Sequence, residues 1–157
     1  RAVDPRLPTF ALLREPLARI RSAFRFVLGG GKGSAVWGDD NRVIQELRDV
    51  FAAQRIRTIS DIFEAPLAVR RRILGHTHFQ PMTDFVCDAA GRLLIDRVFR
   101  METLGDDATE LSKHLGVRPF PLVHTNRSHV AYTLTPRDRE HLERHYAGDI
   151  ALYHGCK

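Results

Sequence analysis

Residues Thr9 to Phe26 read TFALLREPLARIRSAFRF, and this stretch decides the fold class. Phe10, Ala11, Leu12 and Leu13 form a short apolar run, the pattern of a buried strand in a parallel sheet. Arg14 ends that run. Glu15-Pro16 then opens a helix, with proline at a first-turn position where its missing N–H leaves no bond unmade. Leu17, Ile20, Phe24, Val27 and Leu28 share one helical face, and Glu15, Arg19 and Ser22 lie along another. A strand ending in Arg, followed by a helix carrying Ser, places a guanidinium and a hydroxyl near the carboxyl edge of a sheet. Open α/β folds bind ligands at that edge. An Arg fork beside a hydroxyl suits a phosphate. The plainer alternative is an ordinary strand-to-helix turn with an exposed Arg.

Outward from this stretch, strands and helices alternate. Arg1 to Pro8 reads as an irregular lead-in, and Gly29 to Gly38 as a glycine-rich loop. Asp39 or Asp40 caps a helix whose apolar face is Val43, Ile44, Leu47, Val50 and Phe51. Thr58 or Ser60 caps a short helix near Ile59 to Phe63, and Pro66 opens another through Leu74. His76 to Met82 reads as a loop. Phe85-Val86-Cys87 and Leu93-Leu94-Ile95 flank a turn signal at Asp88 to Gly91, which predicts a hairpin. Val98 to Met101 reads as a second core strand and Asp106 to Leu115 as a helix. Val117 to Tyr132 reads as a long functional loop. Thr135 caps a final helix with Pro136 at its first position and Leu142, Tyr146 and Ile150 on its apolar side. The alternation predicts a three-layer α/β fold in a single domain over residues 1–157.

The motif R-E-P-x-x-R-x-x-S-A-F, after an apolar strand, resembles the 3′-phosphate-binding motif of sulfotransferases. It is most similar to carbohydrate sulfotransferases of the chondroitin and dermatan type and their bacterial relatives. Further segments follow in the family's order. His78-Phe79-Gln80-Pro81 resembles its His-aromatic-x-Pro segment. Asp96 to Leu104 resembles its D-x-v-x-r-x-E-x-L strand and helix start. His124 to Ser128 resembles its H-x-N-x-S loop, and Tyr146 with Asp149 its terminal Y-x-x-D. The resemblance runs from about Thr9 to His154.

The resemblance implies a nucleotide-binding parallel-sheet fold and transfer of a sulfuryl group from 3′-phosphoadenosine 5′-phosphosulfate (PAPS) to a hydroxyl, expected on a carbohydrate, without a metal. It implies 3′-phosphate contacts from Arg14 and Ser22 and further cofactor contacts from Arg127 and Ser128. His78, and after it His76, is the expected base for the acceptor proton, since imidazole titrates near neutral pH; packed loop histidines are the alternative. Arg19 assists at the phosphate or pairs with Glu15. Glu102 caps a helix or orients a basic side chain. The family's first strand and its phosphosulfate loop with Lys are expected upstream of Arg1, since no such segment occurs within the chain; a truncated or degenerate member of the family is the alternative. Gly29 to Ser34 is not a P-loop: its spacing departs from G-x-x-x-x-G-K-[ST], and it follows a helix.

The chain has 157 residues and a net charge of +5. That charge suits an anionic ligand, and on charge alone it suits nucleic acid equally. No helix-turn-helix, zinc module or aromatic stacking set supports the nucleic-acid reading, so a non-catalytic polyanion- or nucleic-acid-binding module stands second. Arg70 to Arg72 read as a solvated face, with an acidic polysaccharide surface as the functional option. His141 and His145 are one helical turn apart, but no third zinc ligand is evident. Cys87 and Cys156 form no C-x-x-C pair. No apolar run approaches the roughly 20 residues that span a bilayer, and the start lacks a signal-peptide pattern. The basic residues are almost all Arg, a bias that favours a bacterial source and the cytoplasm. A eukaryotic relative would work in the Golgi lumen.

Overall fold

The computed structural model describes residues 7–29, 40–118 and 130–155. It forms two compact units. The first draws on the described parts of Arg1–Pro16, Pro81–His124 and Gly148–Lys157; the second on Leu17–Gln80 and Thr125–Ala147. The architecture is mixed: eight helices and one two-stranded parallel sheet among the described residues.

The first unit is built on β1 (Phe10–Leu13) and β2 (Arg97–Arg100), paired in parallel with Phe10 opposite Arg97 and Leu13 opposite Arg100. β2 begins one residue earlier than the sequence pattern predicts. Asp96 sets the register: its carboxylate accepts from the Thr9 amide at 2.7 Å and the Thr9 hydroxyl at 2.9 Å. The Thr9 amide, and after it the Thr9 hydroxyl, holds the Asp96 carboxyl below its usual range. The sheet is closed by an edge-on contact of Phe10 with Phe99, centroids 6.2 Å apart. Leu13 and Phe99 are buried, whereas Leu12 is exposed. The apolar run is therefore buried at one end only, because the described sheet has two strands and cannot enclose both faces of β1.

α6 (Leu104–Leu115) follows β2 and packs on it, burying Leu111. It ends at Gly116, whose φ of +67 is the left-handed conformation that glycine adopts without a Cβ clash. Arg97 pairs with Glu110 at 2.6 Å.

The predicted hairpin is borne out in part: the arms meet across the turn, with the Leu94 amide donating to the Val86 carbonyl, but the start of the first arm is helical. Its first arm is the one-turn helix α5 (Thr83–Val86), and its two arms meet in a single antiparallel bridge, Cys87 with Leu93. Asp149, on α8 (Ala147–Gly155), causes this. Its carboxylate accepts from the amides of Met82 at 2.8 Å and Thr83 at 3.0 Å, and from the Thr83 hydroxyl. Those bonds satisfy the donors at the start of a helical turn and wind the chain there. The turn itself stands where the sequence places it, with Asp88 accepting from the amides of Ala90 and Arg92.

The second unit is helical: α1 (Pro16–Leu28, from Leu17 onward), α2 (Asp40–Ala53), α3 (Ile59–Glu64), α4 (Leu67–Leu74) and α7 (Pro136–His145). The α1 stripe is core: Leu17, Ile20, Phe24 and Val27 are all buried. Phe24 meets Phe51 at 5.5 Å and Tyr132 at 4.7 Å between ring centroids. From α2, Ile44, Leu47 and Phe51 are buried, while Val43 is exposed. Thr58 and Thr135 each cap a helix in a reciprocal box, with Asp61 and Asp138 respectively. The single predicted terminal helix is two. α7 stops at Tyr146, where φ and ψ leave the helical region, and α8 begins at Ala147.

No helix among the described residues is long and apolar enough to cross a membrane.

Candidate functional site

Arg14 is the first residue beyond β1, at the carboxyl end of the parallel pair, and is half-buried. Among the described residues nothing forms a hydrogen bond or ion pair with its guanidinium. Its backbone is held on both sides. The carbonyl of Leu13 accepts from the Met101 amide at 2.7 Å. The Glu15 amide donates to Oε1 of Glu102 at 3.0 Å. Glu102 thus acts at the entrance of α1, not on the helix that follows it in sequence. Its other oxygen, Oε2, accepts from the Tyr153 hydroxyl at 3.0 Å. Burial, then the hydrogen bond to Glu102, pushes the Tyr153 phenol up. The Arg100 guanidinium lies 4.8 Å from the centroid of the Tyr153 ring, a cation–π contact.

Ser22, His76 and His78 belong to the second unit. Ser22 is half-buried on α1. The imidazoles of His76 and His78 have centroids 5.1 Å apart. Nδ1 of His76 accepts from the His78 amide at 3.3 Å. The His78 ring stacks on Phe26 at 5.6 Å with the planes 9° apart. Phe79 is fully buried, so the histidines ride on an anchored segment.

That anchor includes Arg19. Its guanidinium donates to the carbonyls of His78 at 3.3 Å and Gln80 at 2.8 Å, and lies over the Tyr146 ring. The Tyr146 hydroxyl donates to the Phe79 carbonyl. The sequence suggests a phosphate or Glu15 for Arg19. Two of its hydrogen bonds go to carbonyls some sixty positions downstream, which no local spacing reveals.

Arg127 and Ser128, and the glycine-rich loop after Gly29, lie outside the described residues. His141 and His145 both pack against Phe63, His141 flat at 5.0 Å and His145 edge-on at 5.5 Å. His141 also lies 3.8 Å from a Glu64 oxygen.

One polar cluster went unread in the sequence. Asp138 is fully buried on α7. Its Oδ1 accepts from the Ser60 amide at 2.7 Å and the Ser60 hydroxyl at 2.6 Å; its Oδ2 accepts from the Tyr132 hydroxyl at 2.7 Å and the Thr135 amide at 2.9 Å. Burial pushes the carboxyl up, but bonds from Ser60, Tyr132 and Thr135 outweigh it and hold it below the usual range. Burial, with the bond to Asp138, raises the Tyr132 phenol. The T-x-x-D spacing of Thr135 and Asp138 is the signal that would have found it. These bonds tie α3 to α7 and have the character of a structural buckle.

The three adjacent arginines of α4 divide. Arg71 and Arg72 are exposed, while Arg70 is half-buried and donates to the Phe63 carbonyl at 3.0 Å. Neutralising Arg71 and Arg72 together is therefore expected to leave heparin retention nearly unchanged. A large drop in the salt needed for elution would instead favour a polyanion-binding module.

No family model, curated protein or solved structure matches the chain.

Proposed function

We propose that the chain belongs to a PAPS-dependent sulfotransferase acting on a hydroxyl, with a carbohydrate as the acceptor class, on a three-layer nucleotide-binding α/β fold. The observation that carries this reading is Arg14. It leaves the carboxyl end of a parallel strand, runs directly into the proline-started helix α1, is half-buried as a residue, and has a guanidinium with no partner among the described residues. An unengaged guanidinium at that edge fits a phosphate.

In this reading Arg14 and Ser22 bind the 3′-phosphate, and Arg127 and Ser128 add cofactor contacts. When bound, PAPS supplies an activated sulfuryl group. His78 takes the proton from the acceptor hydroxyl as that oxygen bonds to sulfur. The bond from sulfur to the phosphate oxygen breaks, and adenosine 3′,5′-bisphosphate leaves with the electron pair. His76 stands beside His78 as the second imidazole. The anchored backbone of residues 78–80 supports this role, because a base must hold its position.

The test is calorimetry with adenosine 3′,5′-bisphosphate and adenosine 5′-monophosphate. The full-length protein is expected to prefer the bisphosphate, and Arg14→Ala to lose roughly tenfold or more in bisphosphate affinity with little change for the monophosphate. Equal affinities in the unsubstituted protein would remove the 3′-phosphate assignment.

A further inference from the structure

We infer that Glu102 is a positioning residue for Arg14, an inference that rests on the 3′-phosphate reading of Arg14. Each side of a residue is a peptide plane, and fixing both planes fixes φ, ψ and the direction of Cα–Cβ. For Arg14 both planes are pinned by consecutive residues at the exit of β2. Met101 holds the Leu13 carbonyl, which lies in the preceding plane. Glu102 holds the Glu15 amide, which lies in the following plane.

The first of these bonds is a backbone bond in line with the β1–β2 ladder and forms with any residue but proline at position 101. The second depends on the side chain of Glu102. That carboxylate does not swing freely: its second oxygen is tied to Tyr153, which is buried and covered by the Arg100 guanidinium. The chain of contacts runs from Arg100 to Tyr153 to Glu102 to the Glu15 amide. It spends both oxygens of Glu102 on neutral donors and leaves the guanidinium of Arg14 without an ion-pair partner among the described residues. Glu102 therefore aims Arg14 without neutralising it.

The distinguishing readout is the ratio of affinities for adenosine 3′,5′-bisphosphate and adenosine 5′-monophosphate, measured by calorimetry on the full-length protein. Glu102→Ala is expected to lower that ratio roughly tenfold, the scale of one misdirected charge-assisted contact. Glu102→Gln keeps an acceptor for the Glu15 amide and an amide group toward Tyr153, and is expected to restore most of the ratio. If Glu102→Ala does not fold, Glu102→Asp takes its place: its carboxylate is one methylene short of the amide, and it too must lower the ratio. An unsubstituted protein that does not discriminate the two nucleotides overturns the 3′-phosphate reading and this inference with it. A discriminating protein whose ratio survives Glu102→Ala or Glu102→Asp overturns the inference alone. Equal weakening of both ligands assigns Glu102 to general stability and likewise overturns it.

Discussion

Asp138→Ala is expected to destabilise the protein by about 3–5 kcal/mol, the usual scale for removing the buried partner of a charged hydrogen-bond network. Four donors converge on this carboxylate: the Ser60 amide and hydroxyl, the Tyr132 hydroxyl and the Thr135 amide. Alanine removes the acceptor of all four and strands the two Ser60 donors in a buried region. For a chain of this size the loss corresponds to a melting temperature lower by roughly 6–20 °C. Asp138→Asn presents one oxygen instead of two and is expected to fall between the two proteins.

The pH dependence has a definite sign. The Asp138 carboxyl titrates below its usual range in the folded protein. Its contribution is therefore complete above the ordinary carboxylate pKa, and is lost as pH falls through the depressed folded value. Urea melts at neutral pH and near pH 3 test both points. The gap between unsubstituted protein and Asp138→Ala should narrow in acid. A substitution cost under about 1 kcal/mol at neutral pH would mean that the cluster does not fasten α3 to α7.

The second large effect concerns His78. His78→Ala is expected to lower turnover roughly 100-fold or more, the scale of general-base loss. The structure makes the substitution a clean one. The bonds that hold the segment, from Arg19 to the carbonyls of residues 78 and 80 and from Tyr146 to that of Phe79, are made to the backbone and survive a change of side chain. What alanine removes is the imidazole, its ring contacts with Phe26 and His76 among the rest. Bisphosphate affinity should persist, because the proposed 3′-phosphate contacts lie on another segment. His76→Ala should reduce turnover as well, since His76 Nδ1 accepts from the His78 amide and steadies that residue. Near-normal turnover in both variants would place the base elsewhere. Loss of bisphosphate affinity in both would make the histidines structural.

What was legible in the sequence is what is local. The four-residue run before Arg14 is β1, Pro16 starts α1, and the stripe from Leu17 to Val27 is core, because strand length and helical period are written in adjacent residues. The caps at Thr58 and Thr135 were legible for the same reason. What was not legible is set by distant partners. Phe85-Val86 and Leu93-Leu94 look like two strands of a hairpin, yet Asp149 caps the first arm from 66 positions away and turns it into α5. Arg19 also donates to the carbonyls of His78 and Gln80, a segment far along the chain that no local spacing reveals. Arg14, Ser22, His76 and His78 are each candidates that the sequence names, whereas the hold of Glu102 and Tyr153 on the backbone beside Arg14 needs the structure. Glu102 carries no local sign of holding the Glu15 amide, 87 positions earlier.

The central claim is sulfuryl transfer, and its most direct test is incubation of the full-length protein with sulfur-labelled PAPS and hydroxyl-bearing glycans, desulfated chondroitin and dermatan first among them. The expected result is label in the glycan together with an equal amount of released adenosine 3′,5′-bisphosphate, both reduced by Arg14→Ala and by His78→Ala. Label that remains entirely on the nucleotide with every acceptor would contradict it.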